Sequence, residues 1–208
     1  MDEVCLICCS EDIHLERGIV PCNHNSVCGP CHARLRYLNS DLKCPVCKES
    51  NDRVIVDRDE RDSAVSSRDD DESRHYKTYE EYGVWGDDEL GQDYILREEV
   101  KMFFRKDYHE NKIVPLFQLA CQYKGCDFVS KKGMRALKDH MRKQHTISLC
   151  NLCVDNKRDF VSQLPRFRPE QLKKHMSKGD PKTSGFKGHP MCEFCKPQRF
   201  YDLTKVSL

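Results

Sequence analysis

No stretch of this chain approaches the roughly eighteen consecutive apolar residues that a membrane-crossing helix needs, so a membrane is not an expected partner. An apolar, signal-like N-terminal region is lacking as well. Hydrophobic residues make up 38% of the chain against 33% charged, too polar a balance for one large core. Mean hydropathy, at −0.75, says the same. Tryptophan occurs once, at Trp85. What is abundant is cysteine, with 14 in 208 residues. Without a secretory lead-in, such a count argues against a disulfide scaffold and for thiolates held by metal in a reducing compartment, hence a cytoplasmic protein.

The overall charge of +1 conceals a division along the chain. Residues 1–50 balance to −2 and residues 51–120 to −8, whereas residues 121–208, with 19 Lys+Arg against 8 Asp+Glu, reach +11. A basic C-terminal portion suits a polyanion, nucleic acid first among candidates; a solvated lysine-rich helix surface would read the same way.

Eight potential ligands stand in residues 5–47 in the order C-x2-C-x13-C-x-H-x3-C-x2-C-x12-C-x2-C: Cys5, Cys8, Cys22, His24, Cys28, Cys31, Cys44 and Cys47. Eight ligands make two zinc sites of four. So short a segment cannot bury enough apolar surface to fold unaided, and metal must supply of order 10 kcal/mol per site. Cys9 fits neither site.

The order, spacing, "VPCNH" run and "CPVC" knuckle resemble a RING finger. That resemblance implies interleaved sites, with Cys5, Cys8, Cys28 and Cys31 holding one zinc and Cys22, His24, Cys44 and Cys47 the other. It also implies no nucleophile of its own: such domains dock a ubiquitin-conjugating enzyme carrying ubiquitin and orient its thioester for attack. Carried over by position, Ile7, Leu35 and Pro45 would form the docking groove, and Lys48 would be the donor that clamps ubiquitin. Many family members place arginine there; lysine keeps the charge and loses the bidentate fork. Ile7 and Leu35 could instead simply pack against the zinc knuckles.

Residues 57–75 carry one valine and one alanine among dense mixed charge and read as a flexible connector. From Asp93 to Tyr108, the apolar positions Ile95, Leu96, Val100, Phe103 and Phe104 recur at helical intervals and predict a helix.

Further on, Cys121-x4-Cys126-x13-His140-x4-His145 has the spacing of a ββα zinc finger, with Leu137 at the core position and a helix expected from about Lys132 to Gln144. Cys150-x2-Cys153 follows, and "MRALKDHMRKQH" is echoed by "PEQLKKHMSKGD", aligning His175 with His140. Pro169 suits a first helical position. Where a second histidine is due, the chain runs on as "KGDPKTSGFKGHP". His189 is the next candidate and the expected fourth ligand; the alternative is a surface histidine. A chelate loop of that length is tolerable because closure entropy grows slowly with length. Cys192-x2-Cys195 then has no partners left, and "FYDLTKVSL" resembles the run-up to a finger's first histidine. The expectation is a chain cut inside a third finger, with four complete zinc sites.

RING, acidic aromatic connector, finger, and C-x2-C…H-M-x-K-G-D-P…G-H-P-x-C-x-F-C together resemble the ribosome-associated quality-control ubiquitin ligases. The resemblance implies ubiquitination of small-subunit ribosomal proteins on stalled or collided ribosomes, starting stalled-translation surveillance. It makes the ribosome, chiefly the small subunit with its rRNA, a partner, and leaves no small-molecule substrate. Lys131, Lys132, Arg142 and Lys143 are the candidate RNA contacts. Two other classes stand beside it: a nucleic-acid-binding finger scaffold with little or no ligase activity, and a sequence-reading DNA-binding array, against which the irregular second finger speaks.

The expected fold is a string of small zinc-stabilised α+β modules with no single large core. It comprises a cross-braced RING over 1–52, an acidic, largely flexible linker with an aromatic segment over 53–92 and a helical lead-in over 93–118. ββα-type fingers follow over 119–147 and, irregular, over 148–190, with the start of a third over 191–208.

Overall fold

The structure, a computed structural model, describes residues 4–11, 16–58, 77–83, 90–179, 185–192 and 198–202. The chain divides into two units, Met1–Val114 and Pro115–Leu208. Most of the charged 57–75 stretch, and Trp85, lie outside the described residues. No helix among those described is long and apolar enough to cross a membrane.

In the first unit, strands β1 (Arg17–Ile19), β2 (Val27–Cys28), β3 (Val54–Asp57), β4 (Tyr94–Arg97) and β5 (Met102–Arg105) form one sheet in the order β2-β1-β3-β5-β4. β3 and β5 run parallel and the other pairs antiparallel. Register places Ile19, Ile55, Phe103 and Leu96 in one row across the sheet. Side chains alternate across a strand, so these share a face. Ile19, Ile55 and Phe103 are buried there with Leu90, under Tyr79, Tyr82 and Tyr94. The next row, Gly18, Val56, Phe104 and Ile95, faces the other way. Helix α1 (Gly29–Asn39) covers it, the His32 ring occupying the space a side chain at Gly18 would fill. Burial first, and Arg36 second, push His32 down to about 3, so its imidazole stays neutral.

Two buried polar groups tie the later strands to the N-terminal part. Arg36 on α1, 5% exposed, donates from Nη2 to the Asn51 carbonyl at 2.5 Å and from Nη1 to the carbonyls of Val100 and Lys101 at 3.2 and 3.4 Å. Asp57, 6% exposed, accepts from the hydroxyls of Tyr82 and Tyr94 and from the Arg58 amide, with Arg105 at 3.8 Å.

The helix expected over 93–108 is therefore a β-hairpin, and helix begins only at α2 (Lys106–Tyr108). It continues through a π-helical turn (His109–Ile113) into α3 (Val114–Phe117). The apolar pairs Ile95-Leu96 and Phe103-Phe104 satisfy helical spacing. They equally suit strands buried on both faces, and pairing with β3 decides between the two. Phe104 looks away from Phe103 and stacks on Tyr108, ring centroids 6.4 Å apart. The RING boundary expected at residue 52 and the linker expected over 53–92 change accordingly. β3, Tyr79, Tyr82 and Leu90 belong to the same unit as the RING ligands because they complete its sheet and core.

The second unit holds α4 (Gly133–His145), β6 (Ser148–Leu149), α5 (Asn151–Asn156), β7 (Arg166–Phe167) and α6 (Pro169–Lys178). α4 agrees with the expected finger helix to within a residue at each end. The finger's hairpin is reduced to one bridge, Ala120 to Val129. α6 starts at Pro169, and its Gln171 side chain accepts from the Arg168 amide at 2.9 Å. Leu137 and Met141 of α4 pack with Ile147, Leu149 and Leu164, so the two fingers share one apolar cluster.

Candidate metal centres and the surface around them

Each knuckle is shaped by its own backbone. The Cys9 amide donates back to the Cys5 carbonyl and the Lys48 amide to the Cys44 carbonyl, so Cys5–Cys8 and Cys44–Cys47 each turn both thiols to one side. Cys28 and Cys31 come from the start of α1, one helical turn apart.

Four sets of side chains converge, the ligand atoms of each within 4.8 Å of one another. They are Cys5, Cys8, Cys28, Cys31; Cys22, His24, Cys44, Cys47; Cys121, Cys126, His140, His145; and Cys150, Cys153, His175, His189. The first two interleave along the chain, as a cross-braced RING requires. The first two are the sets the RING resemblance implied and the last two those expected from spacing; in the fourth, His189 is 1% exposed and so no surface histidine.

The donor geometry fits zinc. Tetrahedral zinc with sulfur at about 2.3 Å and nitrogen at about 2.0 Å sets ligand-to-ligand edges of roughly 3.3–3.8 Å. Cys8 and Cys28 sulfurs are 3.7 Å apart, and Cys47 and Cys22 sulfurs 3.5 Å. His24 Nδ1 is 3.3 Å from Cys22 Sγ, and His140 Nε2 is 3.2 Å from Cys126 Sγ. His189 Nε2 lies 3.3 and 3.5 Å from the sulfurs of Cys150 and Cys153 and 3.2 Å from His175 Nε2. Disulfide sulfurs would sit about 2.05 Å apart. Amide donors already point at the sulfurs where thiolate charge would reside, with the Cys28 amide 3.4 Å from Cys5 Sγ and the Val46 amide 3.4 Å from Cys44 Sγ.

Groups around these ligands escaped the sequence reading. The Asn51 side chain reaches Cys22 Sγ at 3.9 Å. Phe128 stacks on His140, Tyr123 on His145 and Phe167 on His175, with centroids 3.9, 4.1 and 4.4 Å apart. The visible signal was an aromatic recurring inside each finger, which spacing rules for ligands do not weigh. Cys192 is buried and joins no metal-binding set among the described residues; Cys195 lies outside them.

Around the RING ligands several apolar side chains face solvent: Ile7 is 40% exposed, Leu6 62% and Val46 42%. Leu35 and Pro45 are half-buried. Lys48 sits at φ +65° and donates from Nζ to the Pro45 carbonyl at 2.7 Å. The basic candidates do not form one cluster: Lys131 and Lys132 precede α4, whereas Arg142 and Lys143 lie near its end, roughly 15 Å further along the helix. Arg142 is also paired with Asp139 at 2.8 Å.

Residues 1–54 match the family model described as zinc finger, C3HC4 type (RING finger), the same order of three cysteines, one histidine and four cysteines. Over 205 residues the chain is 32% identical to the E3 ubiquitin-protein ligase hel2 of Schizosaccharomyces pombe, covering 97% of this chain and 24% of that protein. With HEL2 of Saccharomyces cerevisiae, also an E3 ubiquitin-protein ligase, identity is 28% over 96% of this chain and 27% of that one. With the human E3 ubiquitin-protein ligase ZNF598 it is 24% over 95% and 19%. The chain thus spans about a quarter of the length of the curated relatives it matches. No solved structure matches it.

Proposed function

We propose that this chain, a RING-bearing relative of the Hel2 and ZNF598 ubiquitin ligases along nearly its whole length, is the conjugating-enzyme-docking portion of a RING-type ubiquitin ligase that works on ribosomes. The observation that carries the reading is Ile7, an isoleucine left 40% exposed between two ligands of an interleaved pair of Cys/His sets. One exposed apolar residue alone is ordinary, so the reading leans also on Leu6 beside it and Val46 in the last knuckle, which are exposed as well.

In this reading zinc supplies rigidity, and four zinc ions fill the four sets of ligands. Ile7, Leu35 and Pro45 receive the conjugating enzyme, and Lys48 braces the ubiquitin thioester, so the contribution to rate is orientation. The basic second unit meets the RNA-rich surface of the small ribosomal subunit, and the chain works in the cytoplasm on proteins of stalled or collided ribosomes. A second reading, a nucleic-acid-binding scaffold with an inert RING, draws support from Lys48, whose ammonium is already engaged by the Pro45 carbonyl.

Discharge of ubiquitin from a charged conjugating enzyme tests the first and separates it from the second. Faster discharge on addition of the chain, and ubiquitinated small-subunit proteins when collided ribosomes are supplied, are expected. Failure to stimulate any conjugating enzyme leaves the scaffold.

A further inference from the structure

Spacing makes His189 the fourth ligand but leaves residues 190–192 and 198–202 outside the second finger, and three observations tie them to it. First, His189 Nδ1 lies 3.2 Å from the backbone carbonyl of Tyr201. A carbonyl only accepts, so Nδ1 carries the proton and Nε2 keeps its lone pair toward Cys150, Cys153 and His175. Secondly, Arg199 Nη1 donates to the carbonyl of His189 itself at 2.5 Å and to that of Met176 on α6 at 3.1 Å. The His189 amide donates to the same Met176 carbonyl at 2.9 Å, so one guanidinium and one amide fasten residue 189 to the helix that carries His175. Thirdly, the return strand is held in register. Met191 bridges Arg199, the Phe200 amide donates to the Pro190 carbonyl, and the Cys192 amide donates to the Gln198 carbonyl.

The glycines of the G-D-P…G-H-P signature belong to the same arrangement. Gly179 ends α6 at φ +64°, and a Cβ there would lie 2.0 Å from the Phe186 carbonyl oxygen. Gly188 has φ +93°, and a Cβ on it would lie 2.8 Å from the Ser177 backbone. The chain passes against the end of α6 where only glycine fits, and His189 follows directly.

We propose that residues 190–192 and 198–201, paired with each other, are a clasp belonging to the second metal centre, with Arg199 and the Tyr201 carbonyl positioning His189 as the fourth ligand. The clasp, which spacing alone assigns to the start of another finger, makes metal retention at Cys150, Cys153, His175 and His189 depend on chain beyond the last ligand. Partners of this kind fix the tautomer and aim of a histidine ligand, and their loss weakens metal binding about 10- to 100-fold. The proposal rests on the reading of this set as a zinc site.

The test uses the full 208-residue chain loaded with cadmium-113, which gives each site its own resonance, with His189→Ala identifying the one concerned. Arg199→Ala should weaken that site about 10- to 100-fold against a competing chelator and leave the other sites unchanged. Arg199→Lys, which keeps a cationic donor, should recover part of the loss. In the unsubstituted chain, imidazole nitrogen-15 spectra should show the His189 proton on Nδ1. Wild-type affinity in Arg199→Ala, or a proton on Nε2, overturns the clasp. If Arg199→Ala also loses the Cys121 site it has unfolded the unit, and the tautomer of the unsubstituted chain then decides. If Cys150→Ser removes no metal, the zinc reading itself fails and takes the clasp with it.

Discussion

Arg36 and Asn51 are joined by a buried hydrogen bond of 2.5 Å from guanidinium to backbone carbonyl, and the same guanidinium reaches the turn between β4 and β5. Desolvation pulls Arg36 down to about 10, still charged at neutral pH, with Asp52 the leading opposing influence. A helix of the RING thus carries the pin that holds a hairpin some sixty residues downstream. Arg36→Ala should cost the first unit about 3 kcal/mol, the range for losing charged hydrogen bonds from buried carbonyls. Urea unfolding measures the loss, and amide exchange should quicken first over residues 94–105 while both RING metals stay bound.

Asp57 makes a second prediction from the same sheet. Its carboxylate is the common acceptor for Tyr82, Tyr94 and the Arg58 amide, so Asp57→Ala strands three donors at once. A loss of about 2–4 kcal/mol is expected, and Asp57→Asn, which keeps an acceptor oxygen, should lose less. Thermal denaturation of the zinc-loaded chain compares the two.

The docking face predicts a separation of roles. Ile7→Ala should slow ubiquitin discharge about 30-fold, equivalent to about 2 kcal/mol of docking energy, and leave the zinc content unchanged because Ile7 is not a ligand. Lys48→Ala should harm discharge more than docking, and Lys48→Arg should keep or raise it by restoring the bidentate fork. Full activity in a folded Ile7→Ala chain refutes the groove assignment.

Charge in the second unit predicts a salt effect. If residues 121–208 meet RNA, log affinity should fall linearly with log salt, and removing one cation that neutralises a phosphate should flatten the slope by about 0.7–0.9. Reversing Lys131 and Lys132 should weaken ribosome binding while the finger stays folded. Reversing Arg142 also removes its exposed pair with Asp139, worth at most about 1 kcal/mol. Salt-independent binding moves the interface to protein surfaces.

Ligand pairs were legible in the sequence because two thiols on one turn, or two histidines one helical turn apart, betray themselves by spacing; which pairs of the first eight ligands share a site came from the RING resemblance, because that grouping is not local. Residues 93–108 were not legible. Ile95, Leu96, Val100, Phe103 and Phe104 obey a helical period, and only the parallel pairing of Ile55 with Phe103, far away in sequence, makes them strands. Nor did spacing reveal the partners of His189. Arg199 acts through its guanidinium and Tyr201 through a backbone carbonyl, which any residue type supplies.

β3 and β5 lie side by side, yet the chain between them runs from residue 58 to residue 101 and includes the acidic stretch. That stretch is an insert within one folded unit, not a tether between two. Its length can drift at little cost, since each doubling of a loop adds only about 0.6 kcal/mol of closure entropy. A protease cutting between residues 59 and 76 would therefore release nothing: the two pieces of the first unit would stay paired along β3 and β5, and the nick would show only under denaturant.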